Sequence, residues 1–115
     1  MVNYKEQQLD EAFGALAHPI RRGIVKRLAT GEATVSKLAR PHRVSGPAIS
    51  KHLRILEEAG LLRRRKTGRE HHCRLVPDRL KQAQDWIEHY RRFWEGSLDR
   101  LENYLKQTQA KEKKV

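Results

Sequence analysis

Eleven lysines and arginines stand between residues 37 and 74: Lys37, Arg40, Arg43, Lys51, Arg54, Arg63, Arg64, Arg65, Lys66, Arg69 and Arg74. Only Glu57, Glu58 and Glu70 oppose them there, so this third of the chain holds most of the net charge of +11. Ammonium and guanidinium groups donate to phosphate oxygens, and the same donors read the acceptor edge of guanine in a DNA major groove. Such a concentrated positive field attracts a polyanion. Enzyme chemistry has no comparable foothold: there is no Ser/His/Asp ordering, no carboxylate pair in a pocket and no glycine-rich phosphate loop. Neither an enzymatic role nor a cofactor is assigned. Soft-ligand chemistry is limited to His71-His72-Cys73 and to Asp85 with His89. In an extended strand His71 and Cys73 point to one face and His72 to the other, which is fewer ligands than a structural zinc site needs. Asp85 and His89, four apart, share a helix face and read as a solvated pair. No metal site is assigned. Cys73, among arginines that would lower its pKa, is read as a redox handle.

The elements that must position these cations follow from the pattern around them. Ser45 is a good N-cap, Pro47 is tolerated in a first turn, and Gly60 suits a left-handed stop, which predicts a helix over residues 45–59. Ile49, Leu53 and Leu56 form its apolar stripe, widened by Ile55 and Ala59. His52, beside that stripe, reads as a half-buried helix residue. Gly46, Pro47, Ser50, Lys51 and Arg54 occupy the opposite face, small near the N-terminus and then polar and cationic. A helix with a slim, donor-bearing N-terminal end suits the major groove. Two short runs, Leu61–Lys66 and Glu70–Leu75, flank Thr67-Gly68-Arg69 as a hairpin. Glu70 is the sole acid between residues 59 and 77, so the hairpin cations cannot all pair within it. A recognition-type helix followed by a basic hairpin is the winged helix-turn-helix arrangement. Ser50 and Lys51 are the candidates for base edges. The predicted DNA-binding set is completed by Lys37, Arg43, Ser45, Gly46, Pro47, Arg54, Arg63, Arg64, Arg65, Lys66 and Arg69. A protein-assembly module whose wing meets an acidic partner is the rival, but its helix would more often be apolar on its outer face.

Upstream, Leu9, Ala12, Phe13 and Leu16 predict a first amphipathic helix ending near Ala17. Pro19 opens a second, with Ile20, Ile24, Val25 and Leu28 inward and Gly31 beyond its end. A short third helix runs from about Thr34 to Arg40, and Pro41 breaks it before the turn His42-Arg43-Val44. From about Pro77 a long helix carries Leu80, Ala83, Ile87, Tyr90, Trp94, Leu98, Leu101 and Leu105, a near-heptad stripe. So long a stripe exceeds what a small core can cover, which points to a second copy of the chain. The expected dimer interface comprises Leu9, Phe13, Leu16, Ile87, Tyr90, Trp94, Leu98 and Leu101. The fold class is therefore mainly α with a small β-hairpin, a winged helix-turn-helix with a long C-terminal dimerisation helix. The expected organisation is one domain over residues 1–106 and a charged, disordered tail over 107–115. A polar N-terminus and a single cysteine fit a cytoplasmic protein, with double-stranded DNA and not a membrane as partner.

Four segments in order carry a family resemblance. They are Phe13-Gly14-Ala15-Leu16-Ala17-His18-Pro19-Ile20-Arg21-Arg22, Ser45-Gly46-Pro47-Ala48-Ile49-Ser50-Lys51-His52-Leu53, Leu56-Glu57-Glu58-Ala59-Gly60-Leu61-Leu62, and Tyr90-Arg91-Arg92-Phe93-Trp94 followed by Leu98-Asp99-Arg100-Leu101. Together they resemble the ArsR/SmtB family of prokaryotic winged-helix repressors over roughly residues 8–106. The resemblance implies a homodimer joined by its first and last helices, which occupies a promoter and is released or tightened by an inducer. Metal-sensing members carry a Cys-x-Cys pair on the third helix; here Thr34 and Ser36 stand at those positions. The chain thus resembles the branch without that motif, and the expected control is by a small-molecule or redox inducer, a partner, or the protein's own abundance.

Overall fold

The structure, a computed structural model, describes residues 4–112. Five helices and three short strands follow in the order α1 (Tyr4–Leu16), α2 (Pro19–Leu28), β1 (Ala33–Thr34), α3 (Val35–Ala39), α4 (Gly46–Glu58), β2 (Leu62–Thr67), β3 (Glu70–Leu75) and α5 (Asp78–Glu112), with a 3-10 turn over Arg40–His42. The chain divides into two compact units, residues 1–83 and 84–115.

In the first unit the helices start where local chemistry can satisfy their free amides. Ser45 Oγ accepts from the Ala48 amide at 3.2 Å, and Thr34 Oγ1 accepts from the Lys37 amide at 3.3 Å. α2 is capped by an imidazole: His18 Nδ1 accepts from the Ile20 amide at 3.1 Å. Between α3 and α4 the chain bends at Arg43, whose φ of 46° is the only positive value at a non-glycine position among the described residues. A left-handed residue with a Cβ costs about 1–2 kcal/mol. The cost is accepted at the bend between the 3-10 turn and the start of α4.

The core explains why α4 shows one face only. Ile49, Leu53 and Leu56 are buried with Ile24 and Leu28 of α2, Leu38 of α3, Ala12 and Ala15 of α1, and Leu61, Leu62 and Cys73 around the sheet. Each fully buried Leu or Ile contributes roughly 1.5–3 kcal/mol of apolar transfer. With that stripe inward, Gly46, Pro47, Ser50, Lys51 and Arg54 are all exposed.

The sheet has the order β1-β3-β2 and is antiparallel throughout. Leu62 pairs with Leu75 at the base and Thr67 with Glu70 at the tip, leaving Gly68-Arg69 as a two-residue turn. Gly68, at φ 63°, supplies the positive φ that such tight hairpin turns need. The sequence reading contained only the hairpin. The third strand, Ala33–Thr34, is two residues long, too short to leave a periodic signal.

The described residues of the second unit, 84–112, are all helix. α5 continues to Glu112, past Lys106, where the sequence reading ends the helix and begins a tail. Gln107–Glu112 holds good helix formers and neither Gly nor Pro, so nothing local stops propagation. Residues 113–115 of the expected tail lie outside the described residues. Surface pairs Arg91–Glu88 and Lys106–Glu102, at 2.8 and 3.1 Å, add the few tenths of a kcal/mol that helix neighbours supply. Ile87, Tyr90, Phe93, Trp94, Leu98, Leu101 and Leu105 are exposed.

Candidate nucleic-acid interface

α4 and the β2–β3 hairpin hold the cations in two arrays. On α4 the small residues Gly46 and Pro47 leave the first turn slim, and Ser50, Lys51 and Arg54 follow on the same exposed face. Lys37 on α3 and Arg43 in the left-handed bend are also exposed, flanking the start of α4 in sequence. Ser45 spends its hydroxyl on the helix cap, so of the predicted residues it acts through helix geometry.

The strand register sorts the wing. Directly paired residues share a face, so Arg63 with Arg74 and Arg65 with His72 lie on one side. Leu62, Arg64 and Lys66 lie on the other, with Leu75, Cys73 and His71. The second side meets the core at its base, where Leu62 and Cys73 are buried. Arg64 is consequently only half-exposed, and its Nε donates to Glu57 Oε1 of α4 at 2.7 Å while Nη2 donates to the same oxygen. The sequence reading counted Arg64 among open phosphate ligands because no acid lies near it in the hairpin. The acid comes from α4, one helix away. Arg65 likewise stands 3.5 Å from Glu32 but keeps most of its surface in solvent. Lys66 and Arg69 are exposed at the tip.

Arg74 was absent from the predicted set, although the hairpin register alone places it opposite Arg63. It lines a cavity of about 240 Å³ with Arg63, Arg64, Arg65, His72 and Glu32. Two arginines directly across a strand pair repel. An anion at this face would relieve that repulsion.

Cys73 is corrected more strongly. It is fully buried, and burial pushes its thiol pKa up; Arg64 opposes the rise and Glu57 adds to it. The sequence reading expected the arginines to lower it. Desolvation of the thiolate outweighs one nearby guanidinium that is already shared with a carboxylate. His71 lies on the Cys73 side of the sheet but is exposed toward the tip, and His72 is 3.4 Å from Glu70 on the opposite side. Among the described residues no three His, Cys, Asp or Glu side chains form a metal-binding group. Thr34 holds the N-terminus of α3 through its hydroxyl, and Ser36 is exposed. Asp85 and His89 are both exposed on α5, where the His89 ring meets Tyr90 edge-on at 5.2 Å.

Of the expected dimer residues, Leu9, Phe13 and Leu16 are half-buried on α1, and Leu16 packs against the core. Ile87, Tyr90, Trp94, Leu98 and Leu101 are exposed on α5. No described helix is long and apolar enough to cross a membrane.

A helix that buries one face and offers a slim cationic one, followed by a basic antiparallel hairpin, defines a winged helix-turn-helix protein. Residues 16–65 match the family described as a helix-turn-helix domain. An HTH-type transcriptional regulator of Mycobacterium tuberculosis is 40% identical over 89 residues, covering 77% of this chain and 80% of that protein. A crystal structure of an ArsR family transcriptional regulator superposes with a TM-score of 0.75 at 37% identity, over 83% of this chain and 97% of the other. A homodimeric winged helix-turn-helix DNA-binding domain from Mycobacterium bovis, 25% identical, gives a TM-score of 0.60 over 76% of this chain and 82% of that one. The chain belongs to the ArsR family of helix-turn-helix transcriptional regulators. Its function is therefore DNA-binding transcriptional regulation.

Proposed function

We propose that the protein is a cytoplasmic, homodimeric repressor that reads a palindromic operator with α4 and steadies itself on flanking phosphates with its wing. The observation that carries this reading is the division of α4: Ile49, Leu53 and Leu56 buried, with Gly46, Pro47, Ser50, Lys51 and Arg54 exposed. The apolar surface of α5 supports pairing with a second copy, as does the homodimeric relative from Mycobacterium bovis. Two α4 helices related by a two-fold axis would address half-sites about one helical turn apart. Repression by promoter occupancy follows from the resemblance to the family.

Ser50 and Lys51 are assigned to base edges. Arg54, Arg43, Lys37, Arg63, Arg65, Lys66 and Arg69 are assigned to phosphates. A dimer that neutralises about six to ten phosphates should show a log–log slope of affinity against salt of roughly −5 to −9. Lys51→Ala should relax sequence preference by about 1–3 kcal/mol at the base it reads, with little change in non-specific binding. Titration of a duplex recovered by footprinting the protein's own upstream region checks both. A flat salt titration, or no binding to any duplex, would refute the reading.

The effector is assigned to a class other than a thiolate-bound metal on α3. Thr34 is occupied as a cap there and the chain has a single cysteine, buried in the wing. Zinc or arsenite in modest excess should leave both melting temperature and DNA affinity unchanged. Tight binding of one ion per chain, lost in His89→Ala or Cys73→Ser, would contradict this assignment.

A further inference from the structure

One arginine ties three helices of the first unit together. From α2, Arg21 Nε donates to the Ala15 carbonyl at 2.6 Å and Nη2 to the Gly14 carbonyl at 3.3 Å, both in the last turn of α1. Its third nitrogen, Nη1, lies 3.2 Å from Nδ1 of His52 on α4. A guanidinium only donates, so His52 Nδ1 is the acceptor and carries no proton. The His18 ring packs on the His52 ring, centroids 4.5 Å apart, and its own Nδ1 accepts from the Ile20 amide. Both imidazoles therefore serve this corner through an unprotonated Nδ1.

The surroundings reinforce the neutral form of His52. The groups acting on it are His18 from the α1–α2 turn, Arg21 from α2, Lys51 from α4 itself and His42 from the 3-10 turn. None is a carboxylate. The His42 ring packs on Gly23 of α2, where an added Cβ would come within 2.8 Å of it. Burial first, and then these neighbours, hold the His52 pKa below the ordinary value of 6.5.

We propose that Arg21 and neutral His52 form a positioning joint that seats the recognition helix α4 on the C-terminal end of α1, and that acid opens it. The proposal rests on α4 being the DNA-reading helix. Protonating His52 sets an N–H against the guanidinium N–H groups, removes the acceptor and places two cations in contact. The folded joint binds fewer protons than the unfolded chain, so its contribution is present above about pH 6.5 and is lost as pH falls through the lower folded pKa. The expected sign is diagnostic. Acidification adds positive charge, which by itself would tighten binding to phosphates. A joint that opens would instead weaken sequence-selective binding.

The test uses the full chain and a duplex that the wild-type protein selects from a random-sequence library at pH 7.5. At constant ionic strength, wild-type affinity for that duplex should fall severalfold on going from pH 7.5 to pH 5.5, where the added positive charge alone would raise it. His52→Asn keeps an acceptor near the Nδ1 position without titrating, and its affinity should not fall. Arg21→Lys keeps the charge but cannot reach both the α1 carbonyls and His52, so it should already bind the duplex more weakly at pH 7.5. In the DNA-free wild type, the Ser50 and Lys51 amide resonances should shift together with the His52 ring titration. Wild-type affinity that rises on acidification, or a His52 ring that titrates while those amides stay fixed, would overturn the joint. If no duplex is selected at all, the regulator reading fails, and the resonance titration alone still decides the joint.

Discussion

α4 and the later turns of α5 carry apolar stripes of similar spacing and stand in opposite surroundings. Ile49, Leu53 and Leu56 are at most 1% exposed. Trp94, Leu98 and Leu101 are 62%, 58% and 53% exposed within a single chain. Periodicity thus identifies which face of a helix is apolar but is silent on what covers it. The cover of α4 is its own domain, and burying that face is what turns Ser50, Lys51 and Arg54 outward. On α5, Ile87, Tyr90, Trp94, Leu98, Leu101 and Leu105 all stay exposed, and large exposed apolar patches mark association sites.

The sharpest way to break this comparison is to remove the α5 stripe alone. Trp94→Ala combined with Leu98→Ala should raise the dimer dissociation constant by about a thousandfold or more, since paired interface anchors are each worth roughly 2 kcal/mol or above. Sedimentation over a range of protein concentration reads this directly. If pairing and folding are coupled, the wild-type melting temperature should also rise with concentration. A stable, folded wild-type monomer at micromolar concentration would remove the basis for the comparison.

The matching change in α4 sharpens it. Leu53→Ala should cost about 3 kcal/mol, within the range for large-to-small substitutions in packed cores. The loss should appear as a lower melting temperature at a concentration where the protein remains fully dimeric. If Leu53→Ala instead shifted the dimer equilibrium as strongly as the α5 changes, the two stripes would belong to one interface.

Most of the candidate interface was legible because it rests on local signals. Ser45, Pro47 and the Ile49–Leu53–Leu56 spacing delimit α4, and Gly68 marks the hairpin turn. What escaped depends on packing between elements distant in sequence. Glu57 captures Arg64 across the α4–β2 junction, and β1 reaches β3 by two residues only. The burial of Cys73 follows from its pairing with Ala33 and Arg64 over the core, which no motif around residue 73 announces. Arg74 shows the opposite case, because counting the register outward from the turn would have found it.

Neighbouring arginines in the wing bring the comparison down to single residues. Arg63 and Arg64 differ by one position and therefore by one face of the sheet. Arg63 is exposed beside Arg74, whereas Arg64 is tied to Glu57 and half-buried. If Arg63 holds a phosphate, Arg63→Ala should weaken all duplexes alike and reduce the magnitude of the salt slope by about one for each phosphate no longer neutralised. Arg64→Ala should leave that slope nearly unchanged and instead cost about 1 kcal/mol of stability, the scale of a partly exposed ion pair. Glu57→Gln should produce a similar small stability loss, because it weakens the same pair from the other side. If Arg64→Ala flattened the salt slope as much as Arg63→Ala, Arg64 would have to leave Glu57 for a phosphate in the complex. The exchange would then make Glu57 a competitor for DNA, and Glu57→Gln would tighten binding rather than leave it unchanged.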